Sequence, residues 1–154
     1  MNADGAWREK DKVGGIEVII RDEKGAFLAG FAKKIEAVLF AQAVEAYALR
    51  EGLNLALESR FKSLEVEGDA QPVIKCLQKR GAMVADLEVV CTDIFHLARK
   101  VNVVKFVSIS RNCNQTVDAI AKYALGLESL EVWLETPPSW LEPFLVEDCS
   151  SVVY

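Results

Sequence analysis

Histidine is nearly absent from this sequence. The single one, His96, has Thr92, Asp93, Arg99 and Lys100 as helical neighbours, a polar setting that fits a solvated face better than catalysis. No Gly-x-Ser-x-Gly elbow occurs, so a Ser-His-Asp hydrolase is excluded. No Gly-x-x-x-x-Gly-Lys loop is present to cradle a nucleotide's phosphates. Cys76, Cys91, Cys113 and Cys149 form no Cys-x-x-Cys pair and no metal-ligand rhythm, and they read as reduced thiols. No basic and apolar leader is seen, and no apolar run approaches the roughly 20 residues of a membrane helix. The expectation is a soluble intracellular protein, nuclear or cytoplasmic, with no membrane partner.

Positive charge is also in short supply. The formal net charge is −5, which works against gripping nucleic acid through its phosphates. Two divalent cations held by carboxylates would bring that sum to about −1, so any such binding is expected to be weak and metal-dependent. What the sequence does contain is 154 residues, 51% of them hydrophobic and 27% charged, the balance of an ordinary globular domain.

Gly15–Arg21 is β-branched and apolar, Asp22-Glu23-Lys24-Gly25 supplies turn chemistry, and Ala26–Phe31 completes a hairpin. Asn2–Trp7 reads as the end of a preceding strand. Residues 39–58 contain no Pro and one Gly among Ala, Leu, Glu and Arg, which predicts a long helix. Alternation over residues 63–67 predicts a strand ending at Gly68-Asp69. Helices over 70–80 and 85–100, a strand over 102–109 and a helix over 115–125 follow. The order βββαβααβα predicts an α/β domain with a five-stranded mixed sheet flanked by helices. Residues 1–130 form the domain. Residues 131–154, with Trp133, Pro137-Pro138 and Trp140, form a tail packed back onto it, a docking tail for a protein partner being the alternative.

Four acids attract attention. Glu45 has Ala41, Ala48, Leu49, Gly52 and Ala56 on its helical face, and a carboxylate in so small and apolar a setting is either a rim residue reaching solvent or one held by a cation. Asp69 can be a helix N-cap, Asp4 a turn residue, and Asp118 an acid favoured by the dipole of a helix's first turn. Together, two lie at strand ends and two on helices that must pack against the same sheet. Such convergence suits Mg²⁺, which takes oxygen ligands and can be paired for phosphoryl transfer.

The segments Asn2-Ala3-Asp4-Gly5-Ala6-Trp7, Glu45-Ala46-Tyr47-Ala48-Leu49-Arg50-Glu51-Gly52-Leu53, Val66-Glu67-Gly68-Asp69 and Asn114-Gln115-Thr116-Val117-Asp118-Ala119-Ile120-Ala121-Lys122 occur in that order. In these the chain resembles the ribonuclease H superfamily, most nearly the plant reverse-transcriptase-like group, to which the ending Pro137-Pro138-Ser139-Trp140-Leu141 is also similar. The resemblance implies a ribonuclease H-like fold. It further implies an endonuclease that cuts the RNA strand of RNA–DNA hybrids with two Mg²⁺ or Mn²⁺ ions, leaving a 3′-hydroxyl and a 5′-phosphate. By motif match, Asp4 would bridge both ions, Glu45 and Asp69 would hold the one nearer the leaving group, and Asp118 the one that activates water. Lys75, Lys79 and Arg80, with Arg111 and Asn114, would contact nucleic acid.

The chain departs from that pattern in three places. The loop before Asp118, Ser108-Ile109-Ser110-Arg111-Asn112-Cys113-Asn114, lacks the histidine of many ribonucleases H, and Arg111 cannot carry protons near pH 7 in its stead. The connection from Asp69 to Asp118 is short for a basic hybrid-gripping protrusion. Met1 stands three positions before Asp4, whereas the family's first strand begins earlier, so the expectation is an excised domain or a trimmed gene product. An active hybrid endonuclease is the first reading. The alternative is a catalytically weak or inactive domain of the same fold that binds nucleic acid or protein. A nuclease of the wider superfamily with another substrate ranks third.

Overall fold

The computed structural model describes residues 1–79, 85–110 and 115–150, with the backbone alone described at 79, 115–118 and 147–150. Three antiparallel strands come first, β1 (Asn2–Arg8), β2 (Val13–Arg21) and β3 (Phe27–Ile35). Asp22 closes the β2–β3 hairpin: its Oδ1 accepts hydrogen bonds from the backbone N–H groups of Lys24 and Ala26 at 2.9 and 2.8 Å. Gly25 takes φ of 85°, a left-handed conformation that costs glycine little.

Helix α1 (Ala41–Glu58) leads into β4 (Leu64–Gly68) and α2 (Gln71–Lys79). A 3₁₀ turn over Ala85–Leu87 then runs into α3 (Glu88–Val101), which Asn102 ends in the left-handed conformation at φ 57°. β5 (Val103–Ser108), α4 (Gln115–Ala124), β6 (Glu131–Leu134) and α5 (Glu142–Ser150) complete the order. The strands form one sheet in the order β5-β4-β1-β2-β3-β6, with β1, β4 and β5 parallel and the remaining pairs antiparallel.

β2 is central and buried on both faces, which explains why it reads as a continuous apolar run rather than an alternation. Ile16, Val18 and Ile20 join α1 and α3 in the larger core cluster, whereas Ile19 joins Ile120 and Ala124 of α4 and Leu141 in a second. Helix α1 therefore covers one face of the sheet and α4 the other. At Gly15 an added Cβ would run into the Ala121 carbonyl oxygen, so a bare Cα is what lets α4 lie this close.

The sheet has six strands, not the five expected. β6 is antiparallel to β3, from Ala29 opposite Leu134 to Ala32 opposite Glu131. Its four residues carry too little pattern to be read alone, and what recruits them is the free edge of β3. Trp133 packs edge-on against Trp140 at 5.8 Å between ring centroids, and Trp140 lies 4.6 Å from Tyr123. Among the described residues, no helix is long and apolar enough to cross a membrane.

Candidate metal centre

The parallel ladder between β1 and β4 pairs Asn2 with Glu67. Continued by two residues on each strand, that register brings Asp4 beside Asp69, which follows the last residue of β4. Asp4 is 4% exposed and accepts a hydrogen bond from the backbone N–H of Gly5 at 2.8 Å. Asp69 is half-buried and stands two residues before the start of α2.

Glu45 arrives from α1. A Cβ added at Gly5 would stand 2.7 Å from Val44 Cγ1 and 3.0 Å from the Glu45 nitrogen, so the missing side chain at Gly5 sets how near this turn of α1 comes to β1. The buried Val44, Ala46, Ala48 and Leu49 around Glu45 hold the turn in place. Asp4, Glu45 and Asp69 each offer one carboxylate oxygen, and the three oxygens lie within 4.8 Å of one another.

Like charges so close repel by on the order of 3 kcal/mol per pair at an effective dielectric of about 20. A hard divalent cation reverses that sign. Three carboxylate oxygens from three separate elements, one carboxylate buried and another half-buried, are the donor set Mg²⁺ or Mn²⁺ takes, and the residues present fit such an ion.

The remaining expected residues divide by position. Asp118 lies in α4, which packs on β1, β2 and β3, and its side chain is outside the described residues. Lys75 is exposed on α2, and only the backbone of Lys79 is described there. Arg80, Arg111 and Asn114 lie outside the described residues. His96 is exposed on α3, away from the carboxylates in sequence and in element.

One acid escaped sequence reasoning. Glu17, in the middle of β2, is 0% exposed and stands directly opposite Asp4 in the β1–β2 register. The available signal was a lone charge inside the apolar run Gly15-Ile16-Glu17-Val18-Ile19-Ile20.

A family model described as reverse transcriptase-like matches residues 2–124. The chain belongs to the reverse-transcriptase-like family of the ribonuclease H superfamily. The matched span of this reverse-transcriptase-like domain contains Asp4, Glu45, Asp69 and Asp118 and ends with the last residue of α4. A protein of Arabidopsis thaliana, provisionally named a ribonuclease H protein, is 26% identical over 148 residues. Those residues are 96% of this chain but 24% of that relative, so the chain spans about a quarter of its length.

Among solved structures, ribonuclease H1 of the archaeon Halobacterium salinarum is similar at a TM-score of 0.75 and 24% identity, over 80% of this chain and 94% of that one. LC11 ribonuclease H1, isolated from compost by a metagenomic approach, was solved in complex with an RNA/DNA hybrid. It matches at a TM-score of 0.72 and 25% identity, over 80% of this chain and 94% of its own. The mixed α/β fold of the reverse-transcriptase-like domain is that of the ribonucleases H.

Proposed function

We propose that this domain is a divalent-cation-dependent endonuclease that hydrolyses the RNA strand of RNA–DNA hybrids. The observation that carries this reading is the convergence of Asp4, Glu45 and Asp69, from β1, α1 and the end of β4, within 4.8 Å. Asp118 is the fourth member of the set, contributed by α4. Membership of the family, and the likeness to a ribonuclease H1 solved with a hybrid, favour the substrate class.

Hydrolysis would form a bond from water oxygen to phosphorus and break the bond from phosphorus to the 3′-oxygen, leaving a 3′-hydroxyl and a 5′-phosphate. When bound, Mg²⁺ or Mn²⁺, expected as a pair, supplies positive charge where negative charge builds on the phosphate. The protein's part is placement. Asp4 is fixed by its hydrogen bond from Gly5, Glu45 by the packing of α1, and Asp69 by the strand it terminates, so the donors need little reorganisation. Lys75, exposed on the helix that follows Asp69, is available to a phosphate of the hybrid, and Lys79, Arg80, Arg111 and Asn114 are the further candidate contacts read from the sequence. Selectivity for RNA would rest on its 2′-hydroxyls, displayed across the minor groove.

One observation favours a second reading. The loop before Asp118 contains no histidine, which suits a domain that binds hybrid and cuts it slowly or not at all. Labelled RNA–DNA hybrid, RNA duplex and DNA duplex, each incubated with the protein and Mg²⁺, Mn²⁺ or EDTA, separate the two. Metal-dependent cutting confined to the hybrid is the expected result, and retention of uncut hybrid by folded protein would establish the second reading.

A further inference from the structure

We propose that the free edge of β6 pairs with β6 of a second copy of this chain, joining two six-stranded sheets into one across a two-fold axis at Val132.

β6 ends the sheet, and among the described residues its one strand partner is β3. The backbone N–H of Glu135 donates to the Leu28 carbonyl oxygen at 2.9 Å, which extends the ladder one residue beyond Ala29 and Leu134. Backbone direction alternates along an antiparallel strand. Glu131 and Trp133 therefore turn their N–H and C=O groups toward β3, and Val132 turns both of its own outward.

The side chains follow the same alternation. Trp133 packs in the cluster beside α4, while Val132 and Leu134 stand opposite Phe31 and Ala29, members of the cluster beneath α1. Leu130 precedes them in step. Helix α1 packs chiefly on β1 and β2, and at this end of the sheet Leu130, Val132 and Leu134 are 53%, 46% and 59% exposed. Leu130–Leu134 contains neither a lysine nor a proline to ward off pairing, whereas β5 at the opposite edge carries the exposed Lys105.

Charge selects both the partner and the register. Two copies of one strand pair antiparallel about an axis normal to the sheet, and like charges directly opposite destabilise the pair. Centred on Glu131, the pairing sets that acid against its own copy. Centred on Trp133, it sets Glu131 against the other copy's Glu135. Centred on Leu134, it runs past Glu135, where φ of 63° turns the chain out of the strand. Centred on Val132, Glu131 meets Trp133, Glu135 meets Ser129 and Glu128 meets Thr136, so no acid faces another. In that register Val132 meets Val132 and Leu130 meets Leu134, and the outward backbone groups of Val132 bond to each other. The strand is complementary to itself, which favours a second copy over an unrelated strand.

The test is sedimentation velocity in EDTA, so that it is independent of the cation site. An edge this short belongs with interfaces below about 1,200 Å², which calls for about 1–200 µM protein, and about 0.15 M salt screens the repulsion between two acidic copies. Wild type, Val132→Lys, Val132→Ile and, on β5, Val104→Lys are compared, each first shown to be folded by circular dichroism. Wild type should pass from monomer to dimer across that range, as should Val132→Ile and Val104→Lys. Val132→Lys, which sets like charges opposite each other on the axis, should stay monomeric; Leu134→Lys carries the same expectation and serves if Val132→Lys does not fold. A dimer that persists in folded Val132→Lys, or is lost equally in Val104→Lys, would overturn the proposal. So would a wild type that stays monomeric throughout, which would leave the edge to a strand of another protein.

Discussion

Gly5 acts twice on the carboxylate cluster. Its N–H donates to Asp4 at 2.8 Å, and its bare Cα admits the turn of α1 that bears Glu45. Gly5→Ala should therefore push α1 off β1, costing about 1–3 kcal/mol in urea unfolding and weakening Mn²⁺ binding as Glu45 retreats. Wild-type values for both would mean that α1 is not set by this contact. A second residue reports on the core beneath α3. Burial, and then proximity to Cys76, pushes the Cys91 thiol up to about 11 from its ordinary 9.0. The folded state thus holds its proton more tightly than the unfolded chain. That contribution to stability is complete below about pH 9 and is lost as the pH rises through about 11. Wild type and Cys91→Ala should accordingly differ most in unfolding free energy near pH 8 and converge above pH 9, and a constant difference to pH 11 would contradict the placement of Cys91.

The second core cluster is where the smallest elements hold the fold. Leu141, just before α5, is fully buried against α4, and Trp133 of β6 packs beside it. Leu141→Ala should cost about 2–5 kcal/mol, measured by thermal unfolding, and a shift of under one degree would show that α5 is not part of the cooperative unit. These elements were also the least legible in the sequence. β2, α1 and β4 announce themselves through composition and periodicity, because each buries a face in its own right. β6 does not: four residues alternating between half-buried and exposed become a strand only because β3 offers an edge. The site was legible in a similar proportion. Asp4, Glu45 and Asp69 could each be singled out, but each had an ordinary local explanation as turn residue, rim residue or N-cap, and their assembly depends on a parallel register and a helix approach that no local pattern encodes. Glu17 stood out only as a lone charge in an apolar run, and its place opposite Asp4, a relation between two strands, was illegible for the same reason.

For the whole molecule, a net charge of −5 means that the proposed hybrid binding would have to rest on bound cations rather than on net positive charge. The reverse-transcriptase-like domain spans 24% of the length of its Arabidopsis relative, and the site described above lies wholly within the domain. Its chemistry is therefore testable on this chain alone. The most direct measurement is cleavage of a labelled RNA–DNA hybrid by wild type and by Asp69→Asn, in Mg²⁺ or Mn²⁺ and in EDTA, on proteins first shown to be folded. Cutting by the wild type that requires the metal and disappears in Asp69→Asn is the expected result. Equal cutting by the two proteins, or cutting that persists in EDTA, would contradict a carboxylate-held cation as the centre of this domain's chemistry.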